Sequence, residues 1–405
     1  MEAIILAGGL GTRLRSVTGE VPKCLAPVDG KPFLQYLLEW LSRFDVTHVV
    51  LSVGYLREQV FRFIESRDWP FDISYAIEKE PLGTGGGIRL ALRQCRGKQV
   101  YVFNGDTFFN VDLNALPFTA PVTLALKPMR DFDRYGAVDW DGDLVTAFHE
   151  KKPCAEGLIN GGVYALDRSQ VDMALYPRKF SFEKDFLEPM ADLFQVAGRV
   201  QDGWFIDIGV PDDYARAQYE LPEMQAVLKA SDAVLASGAD TLFLDRDGVI
   251  NRWLPGDYVR TWDQFAFLPG ILECLRAWAG RFRHVIIVSN QRGVGKGKMT
   301  QAELDSVHGH MLEEIRQAGG RIDGIYVCTA VEESDPRRKP NTGLFEEACR
   351  DCPDITPERS LMLGDSQSDR EFARNCGMGF VLMETAEITL RAREAASSDS
   401  SGSPA

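Results

Sequence analysis

The sequence predicts an α/β protein built as two domains. Three observations carry this. Strand-like apolar runs alternate with helical patterns through the first 220 residues, and the alternation restarts after residue 240. A chain of 405 residues is too long for one ordinary hydrophobic core. In each half a short apolar run stops abruptly, at Gly8-Gly9 in one and at Asp245 in the other.

The elements follow in order. Ala3 to Ala7 is a strand-like run, and Phe33 to Phe44 has helical spacing at Leu34, Leu37, Leu38 and Leu41. His48 to Val53, Ile73 to Ile77, Val100 to Phe103 and Val122 to Leu126 read as strands, which implies a mostly parallel sheet with helices on both faces over residues 1–220. Residues 221–240 read as a linker: a short helical piece from Leu221, then mostly small residues from Ser231 to Asp240. A second sheet follows over 241–385, with strands at Thr241 to Leu244, His284 to Ser289, Gly324 to Cys328, Ser360 to Leu363 and Gly379 to Met383. Residues 386–405 are serine-rich towards the end and are expected to form a disordered tail.

Composition narrows the function. Hydrophobic residues make up 45% and charged residues 26%, as in a globular enzyme. A net charge of −14 argues against nucleic acid as the partner, since such proteins carry basic excess. Anionic substrates must then be met by local cations, backbone amides and metal ions. Eight scattered cysteines form no disulfide framework and point to reduced thiols in the cytoplasm. Met1 leads directly into a strand with no basic leader, and no apolar stretch reaches the ~20 residues that span a bilayer, so neither export nor membrane insertion is expected. A homo-oligomer stays open.

The first site lies in Leu6-Ala-Gly8-Gly9-Leu-Gly11-Thr12-Arg13, followed by Pro22-Lys23. Glycines free the backbone to turn where side chains would strike a ligand, and exposed amides suit phosphate oxygens. Arg13 and Lys23 add charge for a triphosphate and its pyrophosphate leaving group. These residues resemble the sugar-1-phosphate nucleotidyltransferase family, and the resemblance runs through the whole first half. It implies that the second glycine segment, Leu82-Gly83-Thr84 onward, packs on base and ribose. Asp106 and Asp207 would hold Mg²⁺. Gly136, Glu150, Lys151, Asn160 and Gly161 would hold the sugar phosphate. Glu78 precedes the second glycine segment; an ionised carboxylate accepts from two guanine donors together, which favours GTP.

The second site follows the strand Thr241 to Leu244. Asp245 at its end can attack phosphorus, and Asp247 two residues on can serve the leaving group and then water. Ser289 and Asn290 end another strand, Arg338-Lys339 supplies cations, and Asp365 to Asp369 supplies carboxylates. In this order they resemble the haloacid-dehalogenase phosphatases. The resemblance implies a capless Rossmannoid domain with Asp245 as nucleophile and Asp247 as acid and base. Ser289, Asn290, Arg338 and Lys339 would bind phosphate. Asp245, Asp247 and Asp365 would form an Mg²⁺ site that Asp369 supports. Asp257-Tyr-Val, Phe265 to Gly270 and Ser289-Asn-Gln-Arg-Gly-Val closely resemble one subgroup, that of the heptose-bisphosphate and histidinol-phosphate phosphatases, whose members typically carry a zinc loop. Here Cys328 remains, but Ala330, Asp335 and Arg337 stand at the other positions, so no zinc is expected. His308 and His310 sit on a polar helical stretch and are expected to be solvated.

Both resemblances together imply consecutive reactions. A heptose 1,7-bisphosphate would lose its 7-phosphate, and the heptose 1-phosphate would join GTP to give GDP-heptose. Other pairs would fit the same chemistry: mannose-1-phosphate with GTP, or an amino-sugar phosphate with UTP. A regulator or scaffold with one inactive half is disfavoured by five intact aspartates, Asp106, Asp207, Asp245, Asp247 and Asp365.

Overall fold

The computed structural model describes residues 1–9, 11 and 13–391. The chain divides into two compact units, the first Met1–Ala217 and the second beginning at Gln218. No described helix is long and apolar enough to cross a membrane.

The first unit is built on a nine-stranded sheet. Four strands at one side are parallel, in the order Asp72–Ile77, His48–Val53, Glu2–Leu6 and Gln99–Asn104. Glu2–Leu6 has a parallel strand at each edge, and Ala3 to Leu6 run apolar without alternation because both faces of such a sheet are covered. Beyond it the sheet changes character. Cys154–Asp167 runs antiparallel to both Gln99–Asn104 and Val122–Phe132, and Val196–Val200, Leu144–Phe148 and Ala137–Asp141 complete the order. The expectation of a mostly parallel sheet therefore holds for one half of it only. In the other half, where only Val196–Val200 beside Val122–Phe132 is parallel, the sequence shows Val122 to Leu126 but not Cys154–Asp167, which carries glycine and polar residues inside it. In Cys154–Asp167 the register shifts between Asn160 and Tyr164, around Gly161 and Gly162.

Helix Phe33–Leu41 buries Phe33, Leu34, Leu37, Leu38 and Leu41, the spacing the sequence shows. Helix Gly83–Ala91 opens on glycines for a packing reason. A Cβ on Gly85 would stand 2.2 Å from the Phe180 ring, so the helix start lies directly on that side chain.

The second unit carries a five-stranded, all-parallel sheet in the order Gly324–Cys328, His284–Asn290, Thr241–Leu244, Ser360–Gly364, Gly379–Leu382. These are the five strands that the apolar runs predict. The linker reading is corrected: Pro211–Ala236 is one helix of 26 residues. Its Val227, Ala230 and Val234 are buried in the core of the second unit with Leu242, Leu275 and Trp278. The small residues taken for a joint are contact residues, and Ser231 accepts from the Trp278 indole N–H at 3.2 Å. The tail reading is corrected in part as well. Residues 385–391 are helical, with Thr385, Ile388 and Thr389 buried. Residues 392–405 lie outside the described residues.

Candidate active sites

In the first unit the strand Glu2–Leu6 hands the chain to Ala7, Gly8 and Gly9, between two strand ends. The Ala7 amide donates to the Ser52 carbonyl at 2.8 Å, and the Gly105 amide to the Leu6 carbonyl at 3.1 Å. Gly8 lies against the Glu78 carboxylate, and a Cβ there would stand 2.6 Å from Oε1 and displace that side chain. Glu78 accepts from Ser52 Oγ at 2.9 Å and from the Leu82 amide at 3.0 Å. Its carboxylate thus ties the end of strand His48–Val53 to the second glycine segment, a role that the sequence did not reveal. Gly11 adopts φ +58° beside Lys23, and Thr12 lies outside the described residues. Arg13 is exposed.

Asp106 follows Gln99–Asn104, and Asp207 ends Phe205–Asp207, which pairs antiparallel with Thr107–Phe109. The Ile208 amide donates to the Asp106 carbonyl at 3.0 Å, so the backbone itself draws the two aspartates together. Lys23 Nζ bridges them, hydrogen-bonded to Asp106 Oδ2 and 3.8 Å from Asp207 Oδ1. Burial, and then the Asp106 charge, push the Asp207 carboxyl above its ordinary range.

The expected sugar-phosphate residues divide into two kinds. Gly136 packs so tightly that a Cβ would stand 2.3 Å from the His149 carbonyl, and one on Gly161 would stand 2.4 Å from the Phe109 ring. Asn160 Oδ1 accepts from the Gly162 amide at 3.0 Å and Nδ2 donates to the Tyr164 hydroxyl at 3.0 Å, which shapes the bulge. Glu150 and Lys151 are exposed, with Glu150 3.8 Å from Lys184 Nζ. Thr84 closes the second glycine segment onto residues 182–183 by accepting from the Phe182 amide and donating to Glu183.

In the second unit Asp245, Ser289 and Asp365 all stand at or just beyond the C-terminal ends of neighbouring parallel strands, where such sheets open a crevice. A cleft of about 300 Å³ is lined by Asp245, Asp247, Ser289, Asn290, Lys339 and Asp365 among others. Lys339 is buried at its floor. Its Nζ stands 2.9 Å from Asp245 Oδ1, 2.5 Å from Asp369 Oδ1, and donates to the Val288 carbonyl at 2.9 Å. The first of these pairs the lysine directly with Asp245. Asp245, Asp365 and Asp369 each offer an oxygen, all within 4.8 Å of one another. Burial raises the Asp365 carboxyl to about 8, with the charges of Asp245 and Asp369 adding to it. Asp245 is raised to about 6 by burial, although Lys339 pulls the other way.

Asp247 sits in a different field. Burial works to raise it, but Arg246, Asn251 and Gln291 outweigh burial and hold it below the ordinary carboxylate range. Arg246 Nη2 lies 2.9 and 2.8 Å from its two oxygens, Asn251 Nδ2 donates at 2.9 Å, and Gln291 Nε2 donates at 2.9 Å. Gln291 also donates to Ser289 Oγ at 3.0 Å, which ties Ser289 and Asp247 together. Arg246, Asn251 and Gln291 carried no role in the sequence reading. Gln291 adjoins Ser289-Asn290 and was the one within reach of it.

Three side chains have surroundings that the sequence did not show. Arg338 donates to the Val331 carbonyl and stands 3.5 Å from Glu333, so its guanidinium serves that loop. Asn290 exchanges hydrogen bonds with the Lys339 backbone, both at 3.0 Å, and acts as a bracket for the lysine. His308 is buried, with 8% of its surface exposed, because it shares a helix face with Leu304, Val307 and Met311.

Comparison with known proteins agrees with both geometries. Residues 2–224 match the nucleotidyl transferase family, and residues 336–400 match the HAD-hydrolase-like family. The chain is 48% identical over 226 residues to the D-glycero-alpha-D-manno-heptose 1-phosphate guanylyltransferase of Aneurinibacillus thermoaerophilus, covering 55% of this chain and 98% of that protein. It is 45% identical over 138 residues to the D-glycero-alpha-D-manno-heptose-1,7-bisphosphate 7-phosphatase of Mycobacterium bovis, covering 33% of this chain and 71% of that protein. The crystal structure of HddC from Yersinia pseudotuberculosis superposes with a TM-score of 0.50 at 35% identity, covering 54% of this chain and 97% of that one. The chain therefore belongs to the nucleotidyl transferase family, and it carries a haloacid-dehalogenase-type phosphatase domain on the same polypeptide.

Proposed function

We propose that this protein is a bifunctional enzyme of nucleotide-sugar synthesis. Its second unit removes the 7-phosphate of a heptose 1,7-bisphosphate, and its first joins the resulting heptose 1-phosphate to GTP, giving GDP-heptose and pyrophosphate. The observation that carries the reading is the pairing itself. Relatives of the two halves are a phosphatase and a guanylyltransferase named for successive forms of one sugar.

The donor sets suit magnesium. In the phosphatase cleft three carboxylates cluster around the single ammonium of Lys339, which leaves them an excess of negative charge. In the transferase unit, Asp106 and Asp207 share the single cation of Lys23. Hard oxygen donors with excess negative charge are what this ion takes. Asp245, Asp365 and Asp369 would hold it in one unit, Asp106 and Asp207 in the other. Mg²⁺ there would neutralise phosphate charge and align the attack. No zinc is expected.

In the phosphatase, Asp245 attacks phosphorus and the bond to the sugar oxygen breaks. Lys339 and Ser289 hold phosphoryl oxygens. A phosphate entering the cleft favours the protonated form of Asp247 by charge repulsion, so Asp247 can give its proton to the leaving alkoxide. It then takes a proton from the water that attacks the aspartyl phosphate and frees inorganic phosphate. In the transferase, an oxygen of the sugar 1-phosphate attacks the α-phosphorus and pyrophosphate leaves. Arg13, Lys23 and the amides of the Gly8–Gly11 loop steady the triphosphate. Glu78 and the segment Leu82-Gly83-Thr84 are assigned to base and ribose. Gly136, Glu150, Lys151, Asn160 and Gly161 are assigned to the sugar phosphate. Positioning does most of the work in this half.

The test is a panel of sugar phosphates against four nucleoside triphosphates, with and without Mg²⁺. The reading expects phosphate release from heptose 1,7-bisphosphate and pyrophosphate release from heptose 1-phosphate with GTP. Preference for mannose 1-phosphate, or for UTP with an amino-sugar phosphate, would replace it.

A further inference from the structure

We propose that His308 is a positioning residue of the phosphatase: it fixes Arg246, and through Arg246 the orientation of Asp247. The inference rests on the phosphatase reading and extends it to a residue about sixty positions along the chain, on another element.

Arg246 is 1% exposed, a guanidinium buried beside the reacting carboxylates. A buried charge is stable only when its donors are met. Nη2 forks to both oxygens of Asp247, Nη1 lies 3.1 Å from His308 Nε2, and Nε has no partner. Asp247 and His308 are therefore the two side chains that hold the guanidinium among the described residues. Arginine has donors only, so His308 Nε2 must accept, and the ring must be the neutral tautomer with its proton on Nδ1. Burial, and then the neighbouring Arg246 charge, bring the ring down to about 4, which keeps it neutral in this role. The helix Gln301–Gln317 supplies rigidity. It starts on a capping box between Thr300 and Glu303, and Leu304, Val307 and Met311 pack the same face.

The consequence is specific to proton transfer. With His308 replaced by an apolar group, Nη1 loses its acceptor, the guanidinium swings or draws in water, and Asp247 loses its fixed aim. Asp247 matters most when the leaving group needs a proton. A sugar alkoxide does; p-nitrophenolate, a weak base, does not.

The experiment uses the full chain with Mg²⁺ and compares wild type, His308→Leu and His308→Gln. It measures kcat/KM for heptose 1,7-bisphosphate and for p-nitrophenyl phosphate. His308→Leu should lose about tenfold or more on the sugar phosphate and less than about threefold on the aryl phosphate. Retained aryl turnover shows that the unit is folded. His308→Gln places an acceptor near the Nε2 position and should recover most of the sugar-phosphate loss. Equal losses on both substrates with no recovery in His308→Gln would mean a structural role only, and no loss in His308→Leu would overturn the idea outright. If His308→Leu loses both activities, His308→Gln decides: recovery upholds the proposal and its absence overturns it. Failure of the wild type on the bisphosphate would instead refute the phosphatase reading; any alkyl phosphate that the wild type does hydrolyse then replaces it in the comparison.

Discussion

The two acidic sites solve the same problem of anionic reactants with opposite architectures. In the transferase unit, the side chains of Asp106 and Asp207 are 38% and 28% exposed, and one lysine from a short turn spans them. In the phosphatase unit, Asp245 and Asp369 are 13% and 0% exposed around a lysine that is itself buried. The first site rests on a mixed sheet with a two-stranded ribbon, the second on an all-parallel sheet whose strand ends converge. The difference matches the chemistry. A nucleophile that forms a covalent bond must be held still and partly desolvated. A site that aligns two large mobile substrates must stay open and relies on cations and amides.

Asp245→Asn tests the covalent side of this contrast most severely. Phosphate release should fall about a thousandfold or more, while guanylyl transfer by the same protein is unchanged. Retained phosphate release would remove the nucleophile assignment. Asp106→Ala should cut pyrophosphate release by about a hundredfold, with phosphatase turnover intact. Equal loss of both activities there would mean that the units do not act separately.

The lysines sharpen the comparison on stability. Lys339→Met leaves buried carboxylates without their cation and should destabilise the second unit by about 3–5 kcal/mol in denaturant unfolding. Lys23→Met, at the more open pair, should cost about 1 kcal/mol or less and act mainly on the rate. Similar destabilisation by both would erase the distinction between a rigid and an open site. The smallest effect is expected at Arg338→Ala. Since its guanidinium serves the Val331–Glu333 loop, the KM for the bisphosphate should stay within about threefold. A tenfold rise would restore the direct phosphate contact that the motif implies.

The order of the motifs and the strand ends that carry them were legible in the sequence. Apolar runs that stop at Gly8, Asp245 and Asp365 report local structure, because a covered parallel strand must be apolar throughout and must end where the ligand begins. The second sheet was legible strand by strand for that reason. In the far half of the first, Val122 to Leu126 was legible but Cys154–Asp167 was not, since a bulge and glycines break the period on which the reading depends. Low complexity misled at the junction, where Ala230, Ser231 and Val234 are small because Trp278 and its neighbours pack against them.

What the sequence determined alone is which residues can do phosphate chemistry, and at which strand ends they stand. Only the tertiary structure decided their partners: Glu78 bound to Ser52 and Leu82, Arg338 turned to its own loop, Arg246 held between Asp247 and His308. Hydrophobic periodicity is a property of neighbouring residues. The direction of a buried polar side chain is set by whichever distant donor or acceptor relieves its desolvation, and that partner exists only once the chain has folded.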